Sequence, residues 1–481
     1  MKVAIYAPVA LWEVHLAQAV EIAHAEHEKG NEVIVIHCRG SLASCAANMS
    51  HEEIKCGECR FQTRFSNRNH FPSDTKHVFL KKIEIDSTIS KSISQLDSLE
   101  SVKQFVHCGH PFGLSVFSHL VTEERDWEVS FNRVRMKALE MLTNSVQHFY
   151  GMKDILDDDI DTIYIFGGRR AGEAFAAFAA ISKGIKIKYF EHGSQVGKYW
   201  ITENKFFTLR GIKNEINSWK ENYWKYEIQT EQRKEESEQY FFSLRSLERT
   251  DPYFKPFLLG YDGIPQVSGV KPLLVVFTSS LWEFAGFDEF LDCPTDFQNQ
   301  YLLYKRIGTD RDLLETYEVV FRWHPALKVA GPSERKSMHE VIKLTSKSIH
   351  IKPSDPISSY KLLNEADVVV TIGSTIGIEA SVLNKPSILL GNASYSGLGS
   401  VYEPKSYGEF KTLLKDIPPP LPQDGALVYG DWVSNYGESF KFVHRRGIHY
   451  FFNGSRIEKR TVKYRMKRWF FELRNRLGEV Y

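Results

Sequence analysis

"DVVVTIGSTIGIEA", residues 367–380, decides the fold. The apolar run reads as a strand buried on both faces, Gly373 turns the chain, and Ser374 and Thr375 begin a helix. A strand passing directly into a helix is the repeating element of a doubly wound parallel sheet. The unpaired N–H groups at such a helix start attract phosphate, and Gly373 keeps the backbone approachable. The same residues also fit an ordinary Ser or Thr helix cap, worth about 1 kcal/mol, so this stretch by itself leaves phosphate binding open. Fifty residues upstream, "VVFRWHPAL" (319–327) is a second apolar strand, ending on Arg322, His324 and Pro325. Proline stops the strand and sets the direction of His324, and either Arg322 or His324 can donate to phosphate oxygens. Read alone, a strand-terminal His-Pro is equally a turn. Both strands end on the carboxyl edge of one parallel sheet, where α/β proteins bind ligands, so His324 and Ser374 are expected to face one pocket.

The pattern extends in both directions. "TSSLWE" (278–283), with Ser279 and Ser280, and "GNASYSGLG" (391–399) fall at other strand ends of the same series. At the N-terminus, "KVAIYA", a helix over roughly 14–28 closed by Gly30, and "EVIVIH" make a β-α-β unit, repeated around "TIYIF" (162–166) and "IKIKYF" (185–190). The expectation is an α/β protein of two Rossmann-like domains: 1–255, a Pro/Gly-rich linker at 256–271, and 272–440. Residues 441–481 stand apart by charge. From Arg445 to Arg476 there are eleven Lys/Arg and two Asp/Glu, or +9, in a chain whose net charge is +1, which leaves −8 elsewhere. Taken as a helix from about 458, Val462, Met466, Trp469, Leu473 and Leu477 form a stripe with Arg460, Lys463, Lys467 and Arg474 largely off it. Such a basic amphipathic helix suits an anionic bilayer, and the same stripe would also suit a terminal helix packed back onto the N-terminal domain. The acidic remainder argues against nucleic acid.

The 481 residues contain no run of about 18 uninterrupted apolar residues, and Glu13 and Glu21 interrupt the apolar start. The expected location is cytoplasmic, peripheral on the inner face of the plasma membrane if the tail meets lipid. Six cysteines are too few for a disulfide scaffold. Cys38, Cys45, Cys56 and Cys59 fit either a four-thiolate structural zinc site or reduced, unliganded thiols.

The motif residues resemble the glycosyltransferases of the GT-B fold, two Rossmann-like domains about a central cleft with the nucleotide-sugar held by the C-terminal one. The likeness is closer to bacterial capsule and surface-polysaccharide transferases, including the Kdo, polysialic acid and CDP-glycerol groups. These share an Arg-x-His-Pro strand end and a Ser/Thr-rich turn before a Glu-bearing helix, here Arg322, His324, Pro325, Ser374, Thr375 and Glu379. The resemblance covers about 272–400 well and the N-terminal domain loosely. It implies that His324, Ser374 and Thr375 contact the phosphates of the donor and Glu379 its ribose or sugar hydroxyls, with Arg322, Pro325, Gly373, Ser279 and Ser280 lining the site. The retaining pattern of two glutamates is broken, since Thr371 holds the earlier position, which points to inversion without a catalytic metal. An inverting enzyme needs a base in the N-terminal domain. The candidates are Glu13 and His15 in "APVALWEVHLAQ" and His192 in "FEHGS". Glu13 also suits a helix start electrostatically, and His15 a plain surface position. Arg169 and Arg170 in "FGGRRAGEA" fit an acceptor-anion contact or a solvated helix start. The implied partners are a nucleotide-sugar donor, pointed toward a CMP-linked one by the His-Pro likeness, and a polysaccharide or lipid-linked acceptor. A CDP-glycerol-type glycerophosphotransferase is the alternative. A nucleotide-sugar 2-epimerase fits less well, because "STIGIEA" lacks the Gly-Gly and paired glutamates of that group.

Overall fold

The structure is a computed structural model that describes residues 1–49, 51–157, 159–193, 197–203, 208–224, 230–245, 263, 266–286, 292–462 and 466. The chain divides into two compact units: Met1–Glu123, Ser130–Phe206 and Gly437–Tyr481 form one, and Glu124–Val129 and Phe207–Tyr436 the other.

In the first unit β1 (Lys2–Tyr6) leads through α1 (Glu13–Glu28) to β2 (Glu32–His37), then through α2 (Glu53–Asn69) to β3 (Lys76–Phe79). After a helical excursion, β4 (Thr162–Phe166) runs into α3 (Ala171–Ser182), followed by β5 (Lys186–His192) and β6 (Lys198–Thr202). The sheet order is β3-β2-β1-β4-β5-β6, parallel except for β5–β6. Gly30 closes the α1 turn at φ +77°, a backbone region that a Cβ disfavours.

The second unit contains α4 (Leu209–Trp219), α5 (Thr230–Arg245), β7 (Leu273–Phe277), α6 (Leu281–Ala285), β8 (Glu318–Arg322) and α7 (Pro332–Leu344). It continues with β9 (Ile349–Ile351), β10 (Val368–Thr371), α8 (Ile376–Val382), β11 (Ser387–Leu389) and α9 (Asp424–Asn435). All five strands are parallel in the order β11-β10-β7-β8-β9. The chain winds from β7 to β8 on one side and later enters β10 on the other. The switch point of the sheet therefore lies between β7 and β10, the place where open α/β sheets bind ligands.

The chain then returns to the first unit. Strand β12 (Glu438–Ser439) pairs antiparallel with β6, and β13 (Val443–Arg446), β14 (His449–Phe452) and β15 (Ser455–Arg456) form a small antiparallel sheet. Glu21 of α1 accepts the amides of Lys441, Phe442 and Val443 at 2.6, 2.9 and 2.8 Å, which fixes this sheet over α1.

Two boundaries differ from the sequence expectation. Helices α4 and α5 belong to the second unit, because they pack on α9. Trp219 Nε1 donates to the buried Asp431 carboxylate at 2.6 Å, and Ser237 Oγ to Leu427 O at 2.8 Å. A Cβ on Gly430 would lie 2.1 Å from Ser237 Oγ, so α5 and α9 touch backbone to side chain. The stretch from 441, set apart by charge and expected as a basic amphipathic C-terminal helix, opens instead as three short strands, Val443–Arg446, His449–Phe452 and Ser455–Arg456, which pack on α1. Residues 463–465 and 467–481, which carry most of the expected amphipathic stripe, lie outside the described residues, as does most of the expected linker. Among the described residues, no helix is long and apolar enough to cross a membrane.

Candidate functional site

In the second unit, three neighbouring strands, β10, β7 and β8, carry the predicted residues at their carboxyl ends. The backbone amide of His324 donates to Thr278 Oγ1 at 2.9 Å, which ties the end of β8 to that of β7. His324 Nδ1 accepts from Ala326 N at 3.3 Å across the Pro325 turn. In the neutral ring the proton therefore sits on Nε2, which can donate to a ligand. Burial pushes His324 below its usual value, and the Arg322 charge adds to that against the pull of Glu283, so the imidazole is neutral near pH 7. Beside it, Ser279 is 4% exposed. Its amide donates to Tyr304 Oη at 3.1 Å, while its hydroxyl is buried without a hydrogen-bond partner. A buried hydroxyl left in this state costs about 1–3 kcal/mol, which a ligand at the strand ends would relieve.

On the other side of the switch point, Gly373 turns the chain so closely that a Cβ there would meet Asn392 O at 3.0 Å and Phe284 at 3.3 Å. Ser374 is half-buried and Thr375 exposed. Tyr395 Oη donates to Ser374 O at 2.7 Å and contacts Thr371 Oγ1 at 3.3 Å, bracing the turn. Gly377 is required by this brace, since its Cβ would lie 2.5 Å from Tyr395 Oη. Glu379 is 4% exposed and accepts from Thr375 Oγ1 at 3.1 Å.

Two predicted residues have other duties. Arg322 is 3% exposed, and its guanidinium donates to Lys352 O at 2.8 Å, Trp323 O at 3.3 Å and Ser359 Oγ at 3.3 Å. These bonds fasten the end of β8 to the chain after β9. Ser280 Oγ donates to Glu283 Oε2 at 2.6 Å. Sequence reasoning missed Glu334, which accepts from the amides of Leu281 and Trp282 and from Tyr301 Oη. It closes the start of α6, and burial lifts its carboxyl to about 7. No short motif announces it, since it lies some fifty residues from the turn it holds.

The first unit gathers ionisable groups. His15, in the first turn of α1, stacks on Phe166 with ring centroids 3.6 Å apart, and its Nε2 lies 3.0 Å from His192 Nε2, one ring donating and the other accepting. Burial, with the charges of His192 and Arg170, holds His15 well below the usual histidine range. Glu191, also missed, accepts the His192 amide at 3.0 Å, and its carboxylate lies 3.9 Å from His192 Nε2. Desolvation lifts Glu191 to about 7, although its side chain keeps 28% of its surface and so remains reachable. Glu173, 8% exposed in α3, is likewise lifted to about 7 by burial, against the pull of Arg170 and Arg169. Burial and the neighbouring Arg170 bring Arg169 down to about 10. Gly167 and Gly168, at φ +56° and +86°, make the turn that sets both arginines at the start of α3.

Glu13 does not join this cluster. Its carboxylate accepts from Tyr450 N at 3.0 Å, His449 Nδ1 at 3.1 Å and the Arg456 guanidinium at 3.0 and 3.2 Å. Its carboxylate is thus paired, and the helix start is clamped to the returning hairpin, which the sequence could not place there. The four cysteines are free thiols in one neighbourhood. Burial pushes Cys45 up to about 12 and Cys59 to about 11.

Residues 315–412 match the family model described as "Capsule polysaccharide biosynthesis protein". That segment contains Arg322, His324, Pro325, Ser374, Thr375 and Glu379, the six residues that carry the resemblance. No curated protein matches the chain. Among solved structures, the chain is similar to the beta Kdo 2,4 transferase of Thermosulfurimonas dismutans KpsC, at 14% identity over 56% of this chain and 79% of that one, with a TM-score of 0.36. The beta Kdo 2,7 transferase of the same KpsC shares 14% identity over 69% and 94%, at 0.35. The UDP-GlcNAc 2-epimerase of Neisseria meningitidis shares 12% over 90% and 94%, at 0.28. Likeness at this level fixes neither fold nor activity.

Proposed function

We propose that this chain is a glycosyltransferase of bacterial capsule or surface-polysaccharide synthesis, moving a sugar from a nucleotide-sugar donor to a glycan acceptor with inversion. The observation that carries the reading is that the Ser374–Thr375 turn, Ser279 and His324 follow three adjacent strands, β10, β7 and β8, beside the switch point of the second unit's sheet, with the Ser279 hydroxyl buried and unsatisfied. The family segment overlies that place. A neutral imidazole N–H and serine hydroxyls would meet the charge growing on the leaving phosphate by hydrogen bonding, the device on which a metal-independent transfer relies. Glu379, held by Thr375, is set back for hydroxyls of the ribose or sugar. In the first unit, Glu191 with His192 and His15 is the proton acceptor for the acceptor hydroxyl, in place of Glu13. A carboxylate lifted to about 7 accepts a proton more readily than an unperturbed one.

Isothermal titration of the full chain against CMP, CDP, UDP and GDP tests the reading. One nucleotide, CMP foremost, should bind, and Ser279→Ala and His324→Ala should weaken it. Absence of binding by all four would overturn the assignment. The acceptor is proposed to be lipid-linked and the basic tail to reach an anionic bilayer, so full-length protein should float with anionic vesicles at low salt and come off as salt rises. Retention in the soluble fraction at low salt would remove the membrane from the proposal.

A further inference from the structure

We propose that Trp12 is a platform for the acceptor: a pyranose ring of the glycan stacks on its indole and turns one hydroxyl toward Glu191 and His192. The proposal rests on the transferase function above and names the surface that receives the sugar. Trp12 lies in the loop that leaves β1 at the carboxyl edge of the first unit's sheet, and it is the N-cap residue of α1. Its side chain makes no capping bond. Ser, Thr, Asp or Asn at that place would accept from a free amide of the helix, which an indole cannot do. Nor is the ring sunk in the core. Trp323 and Trp432, which pack the second unit, are fully buried, whereas Trp12 is left half in solvent.

The second observation is the company the ring keeps. Trp12 meets His15 edge to face, with centroids 4.5 Å apart and planes at 89°. His15 in turn lies flat on Phe166 at 3.6 Å, and its Nε2 stands 3.0 Å from that of His192. His15 is thereby held on several sides and keeps only 9% of its surface. The side chains of Glu191 and His192 keep 28% and 37%. What the cluster offers to a ligand is therefore a half-exposed aromatic plate beside a reachable carboxylate and imidazole.

That pairing suits a sugar better than a flat or wholly polar molecule. A pyranose carries C–H bonds on its face and hydroxyls around its rim. The C–H face is drawn to the negative face of an indole and leaves water on contact, while the rim hydroxyls remain free to hydrogen-bond. Ligand sites combine apolar and aromatic walls with a few placed polar groups in this way. An aliphatic side chain of similar bulk would fill the space without supplying the π face.

Saturation-transfer NMR on the full chain, with Kdo, N-acetylglucosamine and methyl β-galactoside as probes, reads the contact directly. At least one of these sugars should take up saturation, most strongly on the protons of one ring face. Trp12→Phe should keep most of the signal, and Trp12→Leu should lower it by about fivefold, the size of one aromatic contact. Circular dichroism and nucleotide titration should match the parent in both variants. Should Trp12→Leu fail to fold, fluorotryptophan labelling of the parent answers the same question. The Trp12 fluorine resonance, identified by its loss in Trp12→Phe, should then move when the sugar is added. A parent that binds no nucleotide would sink the transferase reading itself. A parent that binds nucleotide but saturates none of these sugars would overturn the Trp12 assignment alone, as would an unmoved Trp12 resonance or a Leu variant with undiminished signal.

Discussion

In the second unit, the ends of β10, β7 and β8 present Ser374, Ser279 and a neutral His324, whereas in the first unit the ends of β4 and β5 lead to Arg169, Arg170, Glu191 and His192, all ionisable. Both sets sit at the carboxyl edge of a parallel sheet, so topology does not separate them. What separates them is the surrounding shell. Near Ser279 and His324, Arg322 donates to Lys352 O, Trp323 O and Ser359 Oγ and Glu334 accepts from two amides and Tyr301 Oη, while Glu283, which accepts from Ser280 Oγ, still acts on His324. In the first unit Glu173 and Glu191 are both lifted to about 7 by burial while two guanidiniums stand beside them, which leaves groups that exchange protons near neutrality. On the proposed function, the contrast is between holding charge and moving a proton.

The largest effect that could break this contrast concerns turnover. Glu191→Gln or His192→Ala should lower the rate of sugar transfer by a factor on the order of 10² to 10⁴ while nucleotide binding persists. In the parent the rate should rise with pH through about 7 as Glu191 ionises, and the Gln variant should lose that limb. Equal turnover in both variants would move the proton acceptor elsewhere.

Next in size is the pH dependence of stability in the second unit. Glu334 is raised from 4.5 to about 7 in the folded protein, so folding binds a proton there. The favourable contribution is complete below about 4.5 and is lost as pH rises through about 7, by up to about 3 kcal/mol at 1.36 kcal/mol per pH unit. Denaturant midpoints measured from pH 4 to 8 should show a fall to which Glu173 and Glu191 also contribute, and Glu334→Gln should reduce it by the share of that one carboxyl. A fall of the same size in the variant would assign it to another group.

On the holding side, His324→Ala and Ser374→Ala/Thr375→Ala should each weaken nucleotide binding by about 1.5–3 kcal/mol, read by titration calorimetry. Arg322→Lys should act differently, lowering stability through its bonds to Lys352 O, Trp323 O and Ser359 Oγ rather than affinity alone. If Arg322→Lys lost affinity at unchanged stability, Arg322 would belong to the ligand after all. The smallest change is expected at Glu13→Gln. Removing the charge that holds His449 and Arg456 should cost about 1–2 kcal/mol of first-unit stability and leave turnover within a few-fold. A fall in turnover like that of Glu191→Gln would restore Glu13 to the chemistry.

Much of the second unit's site was legible in the sequence because its residues sit within a few positions of a strand end. His324 follows β8, Gly373 and Ser374 follow β10, and apolar runs mark those strands. His192, the last residue of β5, was legible for the same reason, and His15 by its place at the start of α1. The bonds of Arg322 were not legible, because a one-residue step at a strand end reverses the face, and only the packed sheet shows that its guanidinium turns to Lys352 O. Glu191, one residue before His192 in β5, carried no signal of its own, since its raised proton affinity comes from burial, with Glu173 of helix α3 adding to it.

The sequence by itself determined the local elements: strands from apolar runs, helix starts from Ser, Thr and Gly, and the His-Pro and Ser-Thr ends that carry the family likeness. These depend on neighbours a few residues away, which the chain states directly. The tertiary structure alone decided which charges are spent and which remain for chemistry. Glu13 is clamped by Arg456, Glu334 caps a helix some fifty residues earlier, and the basic return strand lies over α1 through Glu21. Those choices join residues up to more than 400 positions apart, and desolvation and hydrogen bonding act on such pairs only once folding has brought them into contact.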